Sequence, residues 1–389
     1  MAASQFLYAP YLDTLSDRPF SRVPEDARVK QELCEVRVPP HAITELKRLI
    51  QTARLGPETF NTKYGLTGLW MKEAVQAWTD VSTFNWAKVQ DYINSVPHFK
   101  SEVDYQGHSY TVHYVALFSK RSDAIPVVNI HGWPGCLEVL PLMNLLQEKY
   151  TPDTLPYHFI APSMPGYTFS SGPPNNHDFS TLDTSRIFRI LLHQLGFDDI
   201  PYIVVGGDIG SHVARALAVE DAACSAIHLN FCFDGNMHAT RPATIGSILI
   251  SDPIALLAGI GEKFAAWTNK TPTLNTILTF ITVYWLTETF PRSIYRADFV
   301  SSDVVPSHGN PRWCIPDGKP FGFSAFSKEI LPVPRAWIER TGKVTFWRKH
   351  KKGGRFAALE VPEVMLRDLE DFVAHATEAR KPISKDDRK

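Results

Sequence analysis

A chain of 389 residues can bury a large core as one catalytic domain with accessory parts, and a formal net charge of -1 excludes nucleic acid or an anionic membrane as its main partner. Five cysteines, at 34, 136, 224, 232 and 314, show neither paired nor metal-ligand spacing, which points to reduced thiols in an intracellular compartment. The first sixteen residues lack a basic segment followed by an apolar stretch, and the most apolar run, from Ile277 to Leu286, is too short to span a bilayer. A cytoplasmic protein without a membrane anchor is therefore expected.

Up to about residue 100 the sequence carries few strand signals and several helical ones. From His41 to Leu55, residues Ile43, Leu46, Leu49 and Ile50 share one face, with Thr44 as a candidate cap. Trp70–Trp78 and Trp86–Ile93 repeat the pattern with aromatic anchors. From about 101 strands and helices alternate: strands at Tyr110–Leu117, Ile125–Ile130 and His158–Ala161, with helices near Val139–Lys149 and Leu182–Leu195. Tyr202 onward is a further strand, Ser211–Glu220 a helix, and Ala226–Phe231 another strand. Between about 232 and 320 apolar helical runs take over, Ile245–Ala266 and Leu274–Thr289. A late strand, Lys343–Trp347, and a helix from Pro362 to about Ala376 follow, and the charged tail from Arg380 reads as disordered. Alternation of this kind predicts a mostly parallel, doubly wound sheet with a helical insertion.

Two motifs on adjacent α/β units carry chemistry. The run Tyr202-Ile203-Val204-Val205 feeds Gly206-Gly207-Asp208-Ile209-Gly210, where small residues permit a sharp strand-to-helix turn that lifts the side chain of residue 208 above the sheet. Serine is the familiar nucleophile of such an elbow. Here a carboxylate stands in its place, suited to attack an electrophilic carbon and form an alkyl ester, as with epoxides and alkyl halides. The competing reading is an aspartate that caps the following helix. Upstream, Ile125–Ile130 ends in His131-Gly132-Trp133-Pro134-Gly135, and a loop there supplies one backbone oxyanion donor while the residue after the nucleophile supplies the other. Those donors are Trp133 and Ile209, and the Trp133–Pro134 bond is a candidate cis peptide.

At this point the chain resembles the microsomal-type epoxide hydrolases of the α/β-hydrolase superfamily over nearly its whole length. The resemblance rests on Leu46-Lys47-Arg48-Leu49, Trp78, Phe84-Asn85-Trp86 and Asn94, on the two motifs above, and on Pro162-Ser163-Met164-Pro165-Gly166-Tyr167. It continues through Thr240-Arg241-Pro242, Tyr284-Trp285-Leu286-Thr287-Glu288, Gly322-Phe323-Ser324-Ala325-Phe326 and Gly353-Gly354-Arg355-Phe356. It implies an α/β-hydrolase fold: an N-terminal helical segment over 1–100 wrapping the catalytic domain, core parts at 101–231 and 321–379, a helical lid at 232–320 and a disordered tail at 380–389. It also implies cofactor-free conversion of a small apolar epoxide and water to a vicinal diol, with a homodimer as a possible assembly. Glu329, in Phe326-Ser327-Lys328-Glu329, matches the acid that orients the general base, and Tyr295 falls where the family places a lid tyrosine that donates to the epoxide oxygen.

Two departures qualify the implied activity. Arg355 occupies the position where the family has the histidine base, and a guanidinium stays protonated near neutral pH. Beside Asp208 and Glu329 it is expected to pair with both, hold them ionised and block water activation; His350, five residues earlier, is the nearest substitute. The lid is also shorter than in relatives, and Asp234 stands where a second tyrosine is expected. The alternatives left open are a hydrolytically inactive homologue that binds a ligand or assists a pathway, and a haloalkane dehalogenase. The absence of any Gly-x-Ser-x-Gly argues against a serine esterase.

Overall fold

The computed structural model describes residues 8–10, 18–57, 65–232, 242–293 and 306–380. Its centre is a ten-stranded sheet: β1 (Tyr8–Pro10), β2 (Glu32–Val36), β3 (His98–Tyr105), β4 (His108–Leu117), β5 (Ile125–Ile130), β6 (Tyr157–Pro162), β7 (Tyr202–Gly206), β8 (Cys224–Leu229), β9 (Phe321–Lys328) and β10 (Val344–Gly354). The spatial order is β1-β2-β3-β4-β6-β5-β7-β8-β9-β10. The first four strands form an antiparallel edge, β4 meets β6 antiparallel, and every pairing from β6 to β10 is parallel. The expected doubly wound, mostly parallel sheet is present. β7 is buried along its whole length, as its unbroken apolar run requires of a strand covered on both faces.

Three helices precede the parallel part: α1 (Pro40–Thr52), α2 (Gly68–Thr79) and α3 (Trp86–Ile93). α1 buries Leu46 and Ile50, but Thr44 does not cap it. Pro39 holds the cap position, and the Thr44 hydroxyl donates back to the Pro40 carbonyl at 3.0 Å from inside the helix. The same N-terminal segment also supplies β1 and β2, whose short mixed sequences carry little period-2 signal, so it extends the sheet as well as wrapping it. The sheet is flanked by α4 (Leu140–Lys149), α5 (Thr181–Gln194) and α6 (Ile209–Glu220).

The insertion between β8 and β9 contains α7 (Pro242–Ser251), α8 (Pro253–Ala266), α9 (Leu274–Leu286) and α10 (Thr289–Arg292). The run read as one helix from Ile245 to Ala266 breaks at Asp252, where the chain bends by 116°. Asp252 caps α8 through its side chain, and Pro253 opens it. The lid docks on the loops at the carboxyl ends of the strands: the Tyr284 hydroxyl donates to the Gly135 carbonyl at 3.0 Å, and the Thr168 N–H donates to the Thr289 hydroxyl at 2.9 Å. The indole N–H of Trp78 in α2 donates to the Thr282 hydroxyl at 2.9 Å, which ties the N-terminal segment to the lid. After β9 come α11 (Arg335–Ile338), then β10, α12 (Ala357–Glu360) and α13 (Pro362–Ala379). No single helix among the described residues is long and apolar enough to cross a membrane.

Histidines are built into the core as neutral groups. His98 Nε2 faces the Ile93 carbonyl at 2.8 Å and must donate, so His98 Nδ1 accepts from His113 Nε2 at 3.0 Å, and His113 Nδ1 accepts from the Ser163 hydroxyl at 2.8 Å. Burial depresses His98, His131, His158 and His228 to about 4, and His113 and His308 well below their ordinary range. The unfolded chain binds protons from about pH 6.5 downward while the first four folded sites bind them only near 4 and burial keeps His113 and His308 neutral in the same sense, so each histidine contributes stability that is present above pH 6.5 and lost as pH falls. The loss approaches about 1.4 kcal/mol per pH unit per histidine. The carboxyls of Glu138, Glu329 and Glu360, pushed up by burial, act with the opposite sign, but they are fewer. Urea denaturation followed by circular dichroism is expected to show a lower midpoint at pH 5 than at pH 7. An equal or higher midpoint at pH 5 would mean that these imidazoles do not stay neutral.

Candidate functional site

The site lies at the carboxyl ends of β5, β7, β9 and β10, where loops leave the sheet and side chains can converge. At the end of β7 the backbone turns through Asp208 with φ 53° and ψ -133°, a conformation that costs a residue with a side chain on the order of 1–3 kcal/mol, and α6 starts at the next residue. Such strain persists because the neighbours leave no alternative. A Cβ at position 210 would sit 2.6 Å from the Ile130 carbonyl oxygen, so glycine alone lets the elbow pack onto the end of β5. The Asp208 side chain makes no capping bond to α6, which disposes of the helix-cap reading. It is 6% exposed and points toward the neighbouring loop.

That loop is His131-Gly132-Trp133-Pro134-Gly135, with Trp133–Pro134 in the cis form. The Trp133 N–H donates to Asp208 Oδ1 at 2.8 Å. The Ile209 N–H, as the first of α6, has no acceptor within its own helix. Two further groups, which the sequence reading missed, shape the loop. His131 Nδ1 lies 2.9 Å from the Gly132 carbonyl and donates to it, which leaves Nε2 to accept from the Met164 N–H at 3.0 Å and ties the loop to the turn after β6. Half-buried Glu138 accepts from the Gly132 N–H at 3.3 Å and from the Cys136 N–H, clasping the loop from inside. Burial pushes the Glu138 carboxyl up. A lone acid between Leu137 and Val139-Leu140 was the available signal for it.

Glu329 and Arg355 come from the last two strands. The parallel register of β9 and β10 sets Lys328 opposite Gly354, so the next residue of each strand emerges at the same place. Arg355 Nη1 donates to Glu329 Oε1 at 3.1 Å, and Nη2 contacts Asp208 Oδ2. The guanidinium lies 4.5 Å over the ring of Phe231 and 5.9 Å from that of Trp267, and the Arg355 N–H donates to the Trp267 carbonyl at 3.2 Å. All three ionisable side chains are at most 8% exposed. The expected double pairing is present, but burial works against ionisation: it pushes Glu329 up to about 8 and pulls Arg355 down to about 9. Contact between opposite charges is what offsets that cost. A cavity of about 50 Å³ beside Asp208, Glu138 and Arg355 has room for a few waters.

His350 is not part of this set. Its Nε2 pairs with Asp368 Oδ2 of α13 at 2.6 Å, and its ring stacks on Phe326 at 5.0 Å. Asp368 in turn accepts from Ser324, so the imidazole is committed to the packing of the terminal helix. Tyr295 and Asp234 lie outside the described residues. No group of three or more His, Cys, Asp or Glu side chains among the described residues is placed to hold a metal ion.

Comparison with known proteins gives a consistent picture. A model of the epoxide hydrolase N terminus matches residues 31–139, and one of the alpha/beta hydrolase fold matches residues 125–231. A putative epoxide hydrolase of Dothistroma septosporum is 33% identical over 91% of this chain and 92% of its own. Epoxide hydrolase 1 of Sus scrofa is 27% identical over 87% of each. Among solved structures, the epoxide hydrolase of Aspergillus niger is 38% identical with a TM-score of 0.85, covering 92% of this chain and all (100%) of that one. The juvenile hormone epoxide hydrolase of Bombyx mori, 24% identical with a TM-score of 0.77 over 94% of this chain and 97% of that one, shares the fold.

Removing the cation from this cluster strands two buried carboxyls. Arg355→Met is expected to cost about 3 kcal/mol or more in urea denaturation at pH 7. Combining it with Asp208→Asn and Glu329→Gln should recover most of that loss, because the charges then disappear together. A single substitution without measurable cost would show that the guanidinium does not neutralise the pair.

Proposed function

Given that this chain belongs to the epoxide hydrolase family, we propose that it opens an epoxide through Asp208 and that Arg355 leaves the resulting ester slow to hydrolyse. The observation that carries this reading is the environment of the Asp208 carboxylate, which sits at the tip of a strained elbow with one oxygen on the Trp133 N–H and the other on the Arg355 guanidinium. An Asp208 oxygen attacks a ring carbon, the carbon–oxygen bond of the ring breaks, and the departing oxygen takes a proton from a donor, for which Tyr295 is the candidate. The product is an alkyl ester of Asp208 bearing a neighbouring hydroxyl.

Hydrolysis then requires water to attack the ester carbonyl carbon, with the new oxyanion on a carboxyl oxygen of Asp208. The Trp133 N–H already points at such an oxygen, and Ile209 would supply the second donor. What is lacking is a base. Arg355 has no lone pair to take a proton from water, and His350 is held by Asp368. A second reading, ligand binding without chemistry, is favoured by the Arg355 contact to Asp208 Oδ2, since the nucleophile must leave that ion pair before it can attack.

Intact-protein mass after incubation with a panel of epoxides separates the readings. An accepted epoxide is expected to add its mass once, on Asp208, and the adduct to persist; Arg355→His should release diol at least partly, because Glu329 stands beside that position. In heavy-oxygen water the first diol from Arg355→His should carry an unlabelled oxygen from the enzyme, and full solvent label in that first turnover excludes the ester route. Multiple turnovers by the native chain, unchanged by Arg355→His, would place the base elsewhere.

Tyr295→Phe is expected to slow adduct formation by roughly 10²-fold without altering the far-ultraviolet circular dichroism. An unchanged alkylation rate would return Tyr295 to a packing role.

A further inference from the structure

A second hydrogen-bonded chain reaches the elbow from beneath, and none of the steps above uses it. Ser211 and Arg215 stand one turn apart on α6, and both are fully buried. His308, 5% exposed, comes from the segment that leads back from the lid toward β9. Arg215 Nε lies 2.8 Å from His308 Nδ1, His308 Nε2 lies 2.9 Å from the Ser211 hydroxyl, and that hydroxyl reaches the Asp208 carbonyl oxygen. Donor and acceptor roles are fixed from both ends. A guanidinium can only donate, so His308 Nδ1 accepts and its proton sits on Nε2; a carbonyl can only accept, so the serine proton points at Asp208 and the serine oxygen receives the imidazole N–H. Every bond therefore runs one way, from a buried cation to the carbonyl of the residue in the strained conformation.

The carbonyl of Asp208 and the N–H of Ile209 are opposite ends of one planar peptide group. Whatever holds the carbonyl aims the N–H. The Ser211 N–H also donates to that carbonyl, at 3.0 Å, so the oxygen is held by two donors. Hydrogen bonds arriving at the carbonyl polarise the peptide and strengthen its N–H as a donor. Arg215 is itself clamped, to the Trp313 carbonyl at 2.9 Å and to the Thr341 carbonyl and hydroxyl at 3.1 Å each, so the chain starts from a fixed point. We propose that Ser211, His308 and Arg215 are positioning residues that set the orientation and donor strength of the Ile209 N–H for the oxyanion formed at Asp208. The proposal rests on the reading of Asp208 as the nucleophile, and couples the elbow to the segment returning from the lid.

The test uses the full chain labelled with ¹⁵N-isoleucine, with Ile209 assigned through Ile209→Val, and compares Ser211→Ala, His308→Leu and His308→Gln. A glutamine amide offers an acceptor and a donor about as far apart as the two imidazole nitrogens. The Ile209 amide proton is expected to move to higher field in Ser211→Ala and His308→Leu and to stay near its native position in His308→Gln. In the Arg355→His background, breakdown of the Asp208 ester should slow by about tenfold or more in the first two variants, with formation affected much less, since misaiming one oxyanion donor weakens the step that develops the charge. A merely structural loss would slow formation and breakdown together and would not be rescued by glutamine. An Ile209 resonance unmoved by Ser211→Ala, or leucine and glutamine behaving alike at 308, overturns the proposal. If no ester forms on any variant, the nucleophile reading fails on its own, and the Ile209 resonance still decides whether the relay exists.

Discussion

A guanidinium buried between two carboxylates governs how this site can be built and what it can do. Arg355, Asp208 and Glu329 are each almost sealed from water, and burial drives Glu329 and Arg355 toward their uncharged forms. Opposite charges in contact are the arrangement that keeps them there, and it requires three separate chain segments to arrive within hydrogen-bond reach. The parallel pairing of β9 with β10 delivers two of them, and the elbow after β7 delivers the third. Trp267 from the lid faces the guanidinium with its ring and accepts the Arg355 backbone N–H at its carbonyl, so this residue also ties the lid to the core. The same interaction that satisfies the fold occupies the Asp208 carboxylate, so under the proposed function structural and chemical demands on Arg355 pull in different directions.

Around that cluster the protein spends polar contacts on backbone rather than on side-chain pairs. The loop that begins at His131 is held by two groups, a buried imidazole with a fixed tautomer and a half-buried carboxyl that accepts two N–H groups. The strained peptide at Asp208 is held from below by a serine, a histidine and an arginine in series. The first device leaves the Trp133 N–H on the Asp208 carboxylate, and the second fixes the Asp208 carbonyl of the peptide that carries the Ile209 N–H. Preorganisation of this kind puts the cost of orienting dipoles into folding, where the core around α6 and β7 can offset it. Four of the neutral, buried histidines, His98, His113, His131 and His308, serve as directional linkers, each with one nitrogen that donates and one that accepts.

Much of this was legible in the linear sequence, and for a physical reason. Strand β5, the elbow, the loop after β5 and helix α3 are each encoded within a few consecutive residues, where β-branched runs, glycines and caps act locally. The carboxylate at the elbow and the arginine in the closing motif were readable because the chemistry belongs to the residue type itself, and a guanidinium placed near two acids can do little but pair with them. By contrast β1, β2, β3 and β9 escaped notice, since their neighbours in the sheet, rather than their own periodicity, make them strands. The bend at Asp252 was overlooked because the apolar runs on either side read as one helix, although Asp252-Pro253 carries the local signal of a cap and a new start.

What only the tertiary structure decided is which distant groups share a hydrogen bond. Nothing local to His131 says that it accepts from the Met164 N–H, thirty-three residues on, and nothing local to His308 says that it lies between Ser211 and Arg215, ninety-seven and ninety-three residues away. His350 looked available until α13 placed Asp368 against it. Sequence by itself determined the sheet's parallel half, the strand-to-helix elbow that carries Asp208 and the arginine of the closing motif, because short-range backbone preference and residue identity suffice for those. The tie from His131 to Met164, the hydrogen bonds beneath the elbow and the commitment of His350 depend on where the chain returns to itself, and that is a property of packing, which no stretch of neighbouring residues contains.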